Sequence, residues 1–547
     1  MEKKQKSKYI LLLCALLILQ SIVIIFWGNI KEGYFIDELY SMEGAHNISR
    51  LSLMDTGYKW QTQENFFENW HPSGEFIEHI TVGEDDKLTN QPIQLIAKRL
   101  MKRPYYAMLN LVSGLNAGNY SKWYGIGLNI FIFIIVQSVL FSLSVKMTKS
   151  LKDALLVAGF YGFSAGAIST TIFIRTYMLS TLMVLLITCL HLFLWNSRSI
   201  WKKWCTLAVI LVVTYYGYKV HQYVLIYSAS VFLVYVAACI LKRKWKCLCQ
   251  YAGCFLVAGG GYFIVNRHSL LSMMSGEQGA VAVENLFHKP LIDFVKDIVS
   301  YVATTIGLLF GNKYWVLLLI IGLVFFVCIS ELVLKKKVLS EIKDRLAASL
   351  HECQVAYALL AVTVIYIVVI ARICPWISWR YICSTYPVMV LALFAIASNL
   401  TKGLPEKKTL IAFLAFSAVC ILLSYNTNSI RELHLGAKEE ARVLREEYSD
   451  VDSIFVYDGD EGRLYLNSYI YASGTDVFYT ERNQFTDQEI FGDRSLPDCL
   501  LMWVSSENED FSGTVDYFLE HSIYENSTLL LDRSRHNECY YVYLLQK

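Results

Sequence analysis

With 547 residues, 55% of them hydrophobic and 14% aromatic, and a mean hydropathy of +0.39, the chain is too apolar for a soluble enzyme and reads as a polytopic α-helical membrane protein. Its formal net charge of +2 comes from Lys and Arg in short clusters between apolar runs, which gives no basis for a nucleic-acid partner and reports membrane orientation instead. The fourteen cysteines contain no CxxC pair, so they read as small core residues rather than metal ligands.

In chain order, residues 1–8 carry four lysines, and the run 9–27 is long enough to cross a bilayer. The run is longer than a signal-peptide core and lacks a small-residue cleavage site, so an uncleaved anchor with a cytoplasmic N-terminus is expected. Asp37 and Glu38 then emerge on the outer face, at the start of a polar first outer loop over about 31–123. Within that loop, 92–100 and 105–115 have the apolar spacing of amphipathic helices lying along the interface. Further spans are expected at about 124–143, 154–174, 177–195 and 205–217, then a sixth that returns to Lys242, Arg243, Lys244 and Lys246 and a seventh at about 251–265, separated by basic inner loops and very short outer turns. A second outer loop covers about 266–314, with 298–310 an interfacial or re-entrant helix, because counting it as a span would put Lys335, Lys336 and Lys337 outside.

An eighth span at 315–334 precedes a cytoplasmic helix at 338–350 and spans at 355–370, 386–397 and 410–423, about eleven in all. An odd count places the C-terminus outside. Residues 1–425 thus form a transmembrane domain, and 426–547 a small extracytoplasmic α/β domain. In the tail a helix is expected at 430–448, with strands at 453–457, 500–504, 528–531 and 540–545. Cys499 and Cys539 lie there, where a disulfide is open to the chain.

The outer turns collect one set of groups: Asp37 and Glu38, Arg175 with Tyr177, Lys219 with His221, and Arg380 with Tyr381. Singly, each cation reads as a snorkelling residue and each Tyr as part of an aromatic belt. Their shared side is what counts. Carboxylates beside cations suit a reaction in which an acid deprotonates a hydroxyl while Arg and Lys stabilise a departing phosphate.

The order of these elements resembles the GT-C superfamily of integral-membrane glycosyltransferases, most closely its bacterial dolichyl-phosphate-mannose-protein mannosyltransferase-like branch. The segment Phe35-Ile36-Asp37-Glu38-Leu39-Tyr40-Ser41 is similar to the branch's acidic motif, and Arg175-Thr176-Tyr177-Met178-Leu179 to its Arg-x-Tyr-x-Leu element. Val220-His221-Gln222-Tyr223 and Trp379-Arg380-Tyr381 resemble its His-Tyr and late Arg-Tyr elements. The likeness spans about 9–423 and not the tail.

It implies a GT-C-like fold in the plasma membrane and an inverting hexosyl or pentosyl transfer from a polyprenyl-phosphate sugar to a glycan, lipid or protein acceptor. Asp37 would be the general base, Glu38 would orient the acceptor or Asp37 itself, and Arg175, His221 and Arg380 would hold the phosphate. Where the family carries an Asp and a His-Pro-Pro element, this chain reads Leu100-Met101-Lys102-Arg103-Pro104-Tyr105-Tyr106. Lys102 and Arg103 then meet either the donor phosphate or anionic lipid headgroups, beside Tyr105 and Tyr106. The departure leaves open both a divalent metal and the activity itself, so no cofactor is assigned. Two rival readings remain, a transporter or lipid-carrier flippase and a catalytically inactive GT-C-like scaffold.

Overall fold

The structure, a computed structural model, describes residues 3–48, 68–72, 77–78, 80–275, 277–311, 314–316, 318–319, 321–322, 338–456, 476–506, 511–532 and 540–547. The chain is a polytopic, mostly helical membrane protein with a small sheet toward its C-terminus. Eight described helices are long and apolar enough to span: Ser7–Ile30, Lys122–Thr148, Tyr177–Asn196, Tyr223–Leu241, Trp245–Ile264, Gln354–Ile373, Cys383–Leu400 and Glu406–Ser424. All of them carry apolar side chains around the whole helix, and a helix satisfies its own backbone hydrogen bonds without water.

A ninth span results if Leu151–Gly162 and Ala165–Ile172, which meet at a 58° bend, count as one. The bend has a local cause. Ser164 Oγ donates to Tyr161 O and accepts from Ala167 N–H, which ends one helix and caps the next. Gly162 just before it is crowded, since a Cβ there would lie 2.2 Å from both the Gln20 and the Gln137 amide nitrogens.

The expected span 205–217 sits on Ile200–Val220, a 21-residue helix that falls outside these eight, because Lys202, Lys203, Lys219 and three tyrosines dilute its apolar run. The segment 298–310 belongs to the helix Leu291–Phe310, also outside the eight, with Asp293, Lys296 and Asp297 in its first half. Most of the expected span 315–334 lies outside the described residues.

Two compact units emerge from the packing, one of Met1–Gly28 and Asn129–Arg431, the other of Asn29–Leu128 and Glu432–Lys547. In the first, Gln20 and Gln137 both donate to Ala158 O, so buried amides join three helices where a lone polar group would be costly.

The second unit joins the segment that precedes the helix Lys122–Thr148 to the tail through a six-stranded sheet, ordered β1-β3-β2-β4-β6-β5. Its strands are β1 (Trp70–Pro72), β2 (Asp452–Val456), β3 (Asp476–Thr480), β4 (Cys499–Ser505), β5 (Asn526–Asp532) and β6 (Tyr540–Gln546). β3, β2 and β4 are parallel, and β1 from the loop adds antiparallel to β3.

Side chains alternate across this sheet. Ile454, Val456, Phe478, Met502 and Val504 meet Phe491 and Phe518 from two short helices on one face, while Phe455, Tyr479 and Trp503 stack in a row on the other. The tail helix is Ala437–Glu447, shorter than expected, because Glu432, His434 and Gly436 adopt left-handed backbone that no α-helix admits. Cys539 lies outside the described residues.

Candidate functional site

Within the transmembrane unit, three of the sequence-predicted turns come together around Phe173. After the helix Ala165–Ile172 ends, Phe173 turns extended, and its carbonyl accepts from both Asn129 Nδ2 (2.8 Å) and the Arg175 backbone N–H (2.8 Å). This double anchor fixes the turn that presents Arg175 and Tyr177. The Tyr177 ring stacks on Phe173 at 5.8 Å and meets His221 at 5.1 Å.

His221 caps the helix Ile200–Val220 in extended conformation, and its Nδ1 accepts from the Tyr223 N–H at 3.2 Å. A neutral ring in this setting carries its proton on Nε2. Tyr223 meets His221 at 4.9 Å and Tyr381 edge-on at 5.0 Å, and its hydroxyl lies 3.4 Å from Cys374 Sγ. The contacts close on themselves through Arg380, the neighbour of Tyr381. Its guanidinium carbon lies 5.6 Å from the Phe173 ring centre while its Nε donates to Ser378 Oγ at 3.0 Å. Arg380 is only 8% exposed, and an aromatic face is one of few apolar surfaces that attracts a buried cation.

Phe173 and Cys374 belong to this cluster and were not singled out from sequence, the one a phenyl ring among many and the other read with the remaining cysteines as a small core residue. Trp379 and Tyr223 stand in the motifs quoted for the resemblance, without a role of their own. Lys219, by contrast, rests over Tyr215 and Tyr218 on its own helix, 5.7 and 5.3 Å from their ring centres.

The acid pair belongs to the other unit. Asp37 and Glu38 occupy the first turn of the helix Ile36–His46, where carboxylates oppose the helix dipole favourably. Glu38 is fully buried. Its Oε2 accepts from the Phe35 N–H (2.8 Å) and from Lys31 Nζ (2.9 Å), and Lys31 is equally buried. Asp37 is half-buried. Tyr34 packs against Tyr120 at 5.8 Å, and burial pushes both phenols up, so both keep their protons as donors.

Farther along the loop, Lys102 is exposed at the end of the helix Ile93–Lys102 and Arg103 is half-buried. Tyr105 is buried, and Tyr106 packs beside Gly44, where an added Cβ would come to 3.3 Å from its ring. Both tyrosines therefore hold the loop's core together with the buried Asn110, which accepts from Leu88 N–H and donates to Ala45 O and Asp86 O. Among the described residues no cluster of three or more His, Cys, Asp or Glu could hold a metal ion.

A cleft of about 640 Å³ opens elsewhere in the transmembrane unit, and none of the sequence-predicted residues lines it. Val299, Ala303 and Gly307 of Leu291–Phe310 form an apolar stripe, with Ser300, Lys296 and Arg431 also lining the cleft. Such a surface suits an anionic amphiphile, its chain on the stripe and its head at the cations. Compared with known proteins, the chain matches no family model and no curated protein.

Proposed function

We propose that the chain is a GT-C-like membrane glycosyltransferase that moves one sugar, with inversion, from a polyprenyl-phosphate donor to a glycan, lipid or protein acceptor at the outer face of the plasma membrane. The observation that carries this reading is the closed cluster of Arg380, Phe173, Tyr177, His221, Tyr223 and Tyr381, built from three turns far apart in the chain. A cation on an aromatic wall is what an anionic sugar donor needs, since phosphate pairs with the guanidinium and ring faces pack on the apolar faces of a sugar. The amphiphilic cleft adds a surface suited to the lipid part of such a donor.

In the reaction, Asp37 takes the proton of an acceptor hydroxyl, the oxygen attacks the anomeric carbon, and the bond from that carbon to the phosphate oxygen breaks. Its electron pair leaves on the phosphate, whose developing charge Arg175, His221 and Arg380 stabilise. In this reading the N-terminus is cytoplasmic and the tail extracytoplasmic.

Incubating membranes that contain the full chain with a panel of labelled polyprenyl-phosphate sugars tests it. Transfer by the parent is expected from one donor, with a loss of about 10²-fold or more for Asp37→Asn and a comparable loss for Arg380→Ala. Transfer at the parent rate by Asp37→Asn removes Asp37 from its role, and no transfer from any donor overturns the assignment.

A further inference from the structure

The acid pair is built onto the start of the tail. Glu32 N–H donates to Leu433 O (2.9 Å), Gly436 N–H donates to Glu32 Oε2 (2.6 Å), and Lys31 Nζ reaches Glu432 O (2.5 Å) as well as Glu38. Lys122 Nζ in turn donates to Lys31 O. Gly33 fits because it has no side chain, since a Cβ there would lie 2.8 Å from His434 Cβ and 3.0 Å from Ala437 Cβ. The opposing segment is strained. Three of its five residues are left-handed, Glu432 (φ 62°), His434 (φ 48°) and Gly436 (φ 90°), and two of the three carry a side chain.

Left-handed backbone at residues with a Cβ persists only where the surroundings over-determine it, and it concentrates at functional sites. The Lys31–Glu38 pair is a second costly feature, because removing two charges fully from water returns less than an apolar pair of the same size would. Neither is the cheapest way to hold a loop on a tail. Both are ways to hold it in one geometry.

We infer that Lys31 and the segment Glu432–Gly436 are the positioning device of the acid motif, which locks Glu38 as an internal anchor and so sets the helix turn from which Asp37 acts. This rests on the glycosyl-transfer reading and adds to it what holds the acid pair in place, Lys31 and the start of the tail. Glu38 has one oxygen engaged by two donors, one of them a full charge, whereas Asp37 stands one residue earlier on the same turn, half-buried. Lys31 and the Phe35 N–H together hold Glu38 Oε2 in that place. The tail is then part of the site, through the backbone carbonyls of Glu432 and Leu433.

The test uses the full chain, with Lys31→Met and the charge-free pair Lys31→Met/Glu38→Gln. Lys31→Met strands a buried carboxylate and is expected to lower Tm by about 5 °C or more, while the double variant regains most of that loss. The expected kinetic result is a fall in kcat of about 10-fold or more at unchanged KM in both, including the double variant whose stability has recovered. In parallel, a thiol introduced by Asp37→Cys is labelled with a membrane-impermeant maleimide and followed by peptide mass spectrometry. Its rate is expected to change at least about 5-fold when the double variant is added.

Recovery of kcat together with Tm in the double variant, or a labelling rate that does not move, overturns the positioning role. A parent that transfers no sugar while the labelling rate still shifts leaves the device standing and removes the glycosyl-transfer reading instead.

Discussion

Glu43 lies on the same helix as the acid pair and shows how burial alone sets a charge state. Its side chain is 7% exposed, and desolvation lifts its carboxyl from the ordinary 4.5 to about 8, so the native protein holds it protonated at neutrality. The folded value lies above the unfolded one, so the native state binds this proton more tightly. The contribution to stability is therefore full below about 4.5 and is lost as pH rises through about 8. Thermal unfolding of the purified chain is expected to weaken across that window, with a slope approaching about 1.4 kcal/mol per pH unit. Glu43→Gln keeps the shape without the titration and is expected to flatten the curve there. An equally steep curve for the variant assigns the pH dependence to another group.

At the scale of elements, the three-residue β1 does more than its length implies. Its Trp70 ring lies 5.5 Å from Phe478 and 5.0 Å from Phe491, with the Arg494 guanidinium 4.5 Å above it and its Nε1 donating to Ile490 O. One indole thus pins the segment before Lys122–Thr148 to the tail's sheet through apolar contact, a cation–π pair and a hydrogen bond. Trp70→Ala is expected to cost about 2–3 kcal/mol in denaturant unfolding of the second unit, and Trp70→Phe distinctly less. Equal losses would mean that the hydrogen bond, and not the packing, holds the strand.

Sequence made the apolar spans legible because a membrane demands a long uninterrupted run, β2, β4 and β6 legible because β-branched and aromatic residues fall there, and β5 legible as the short apolar run Leu529-Leu530-Leu531. It could not show β1, which is too short for any alternation to register. Nor could it show the left-handed segment, since Glu432 and His434 have no intrinsic taste for that backbone. The cations and rings of the transmembrane cluster were legible as residue types at turns. Phe173, which joins them, is one of many phenylalanines, and Lys31 looks like any cation at the end of a span until Glu38 is found beside it.

For the whole molecule, the proposal demands that the loop carrying Asp37 and the turn carrying Arg380 face the same compartment. Charge supports this. The helices Ile200–Val220 and Tyr223–Leu241 have Arg198, Lys202 and Lys203 at the start of the first and Lys242, Arg243 and Lys244 after the second, a charge pattern that by the positive-inside rule favours the proposed outer side for the turn at His221. Lys219 near that turn is the exception, and its ammonium rests on Tyr215 and Tyr218, as an interfacial lysine does.

Single cysteines at two exposed positions, Tyr40→Cys and Trp376→Cys, are expected to react with an impermeant maleimide in intact cells. Lys244→Cys and Lys407→Cys are expected to react only after permeabilisation. The pair at 40 and 376 decides the matter, because these positions neighbour Asp37 and Arg380 in sequence and the helices from Lys122–Thr148 to Gln354–Ile373 lie between them. Labelling of the two from opposite sides leaves the acid and the cation unable to serve one substrate, and the transfer reaction falls with it.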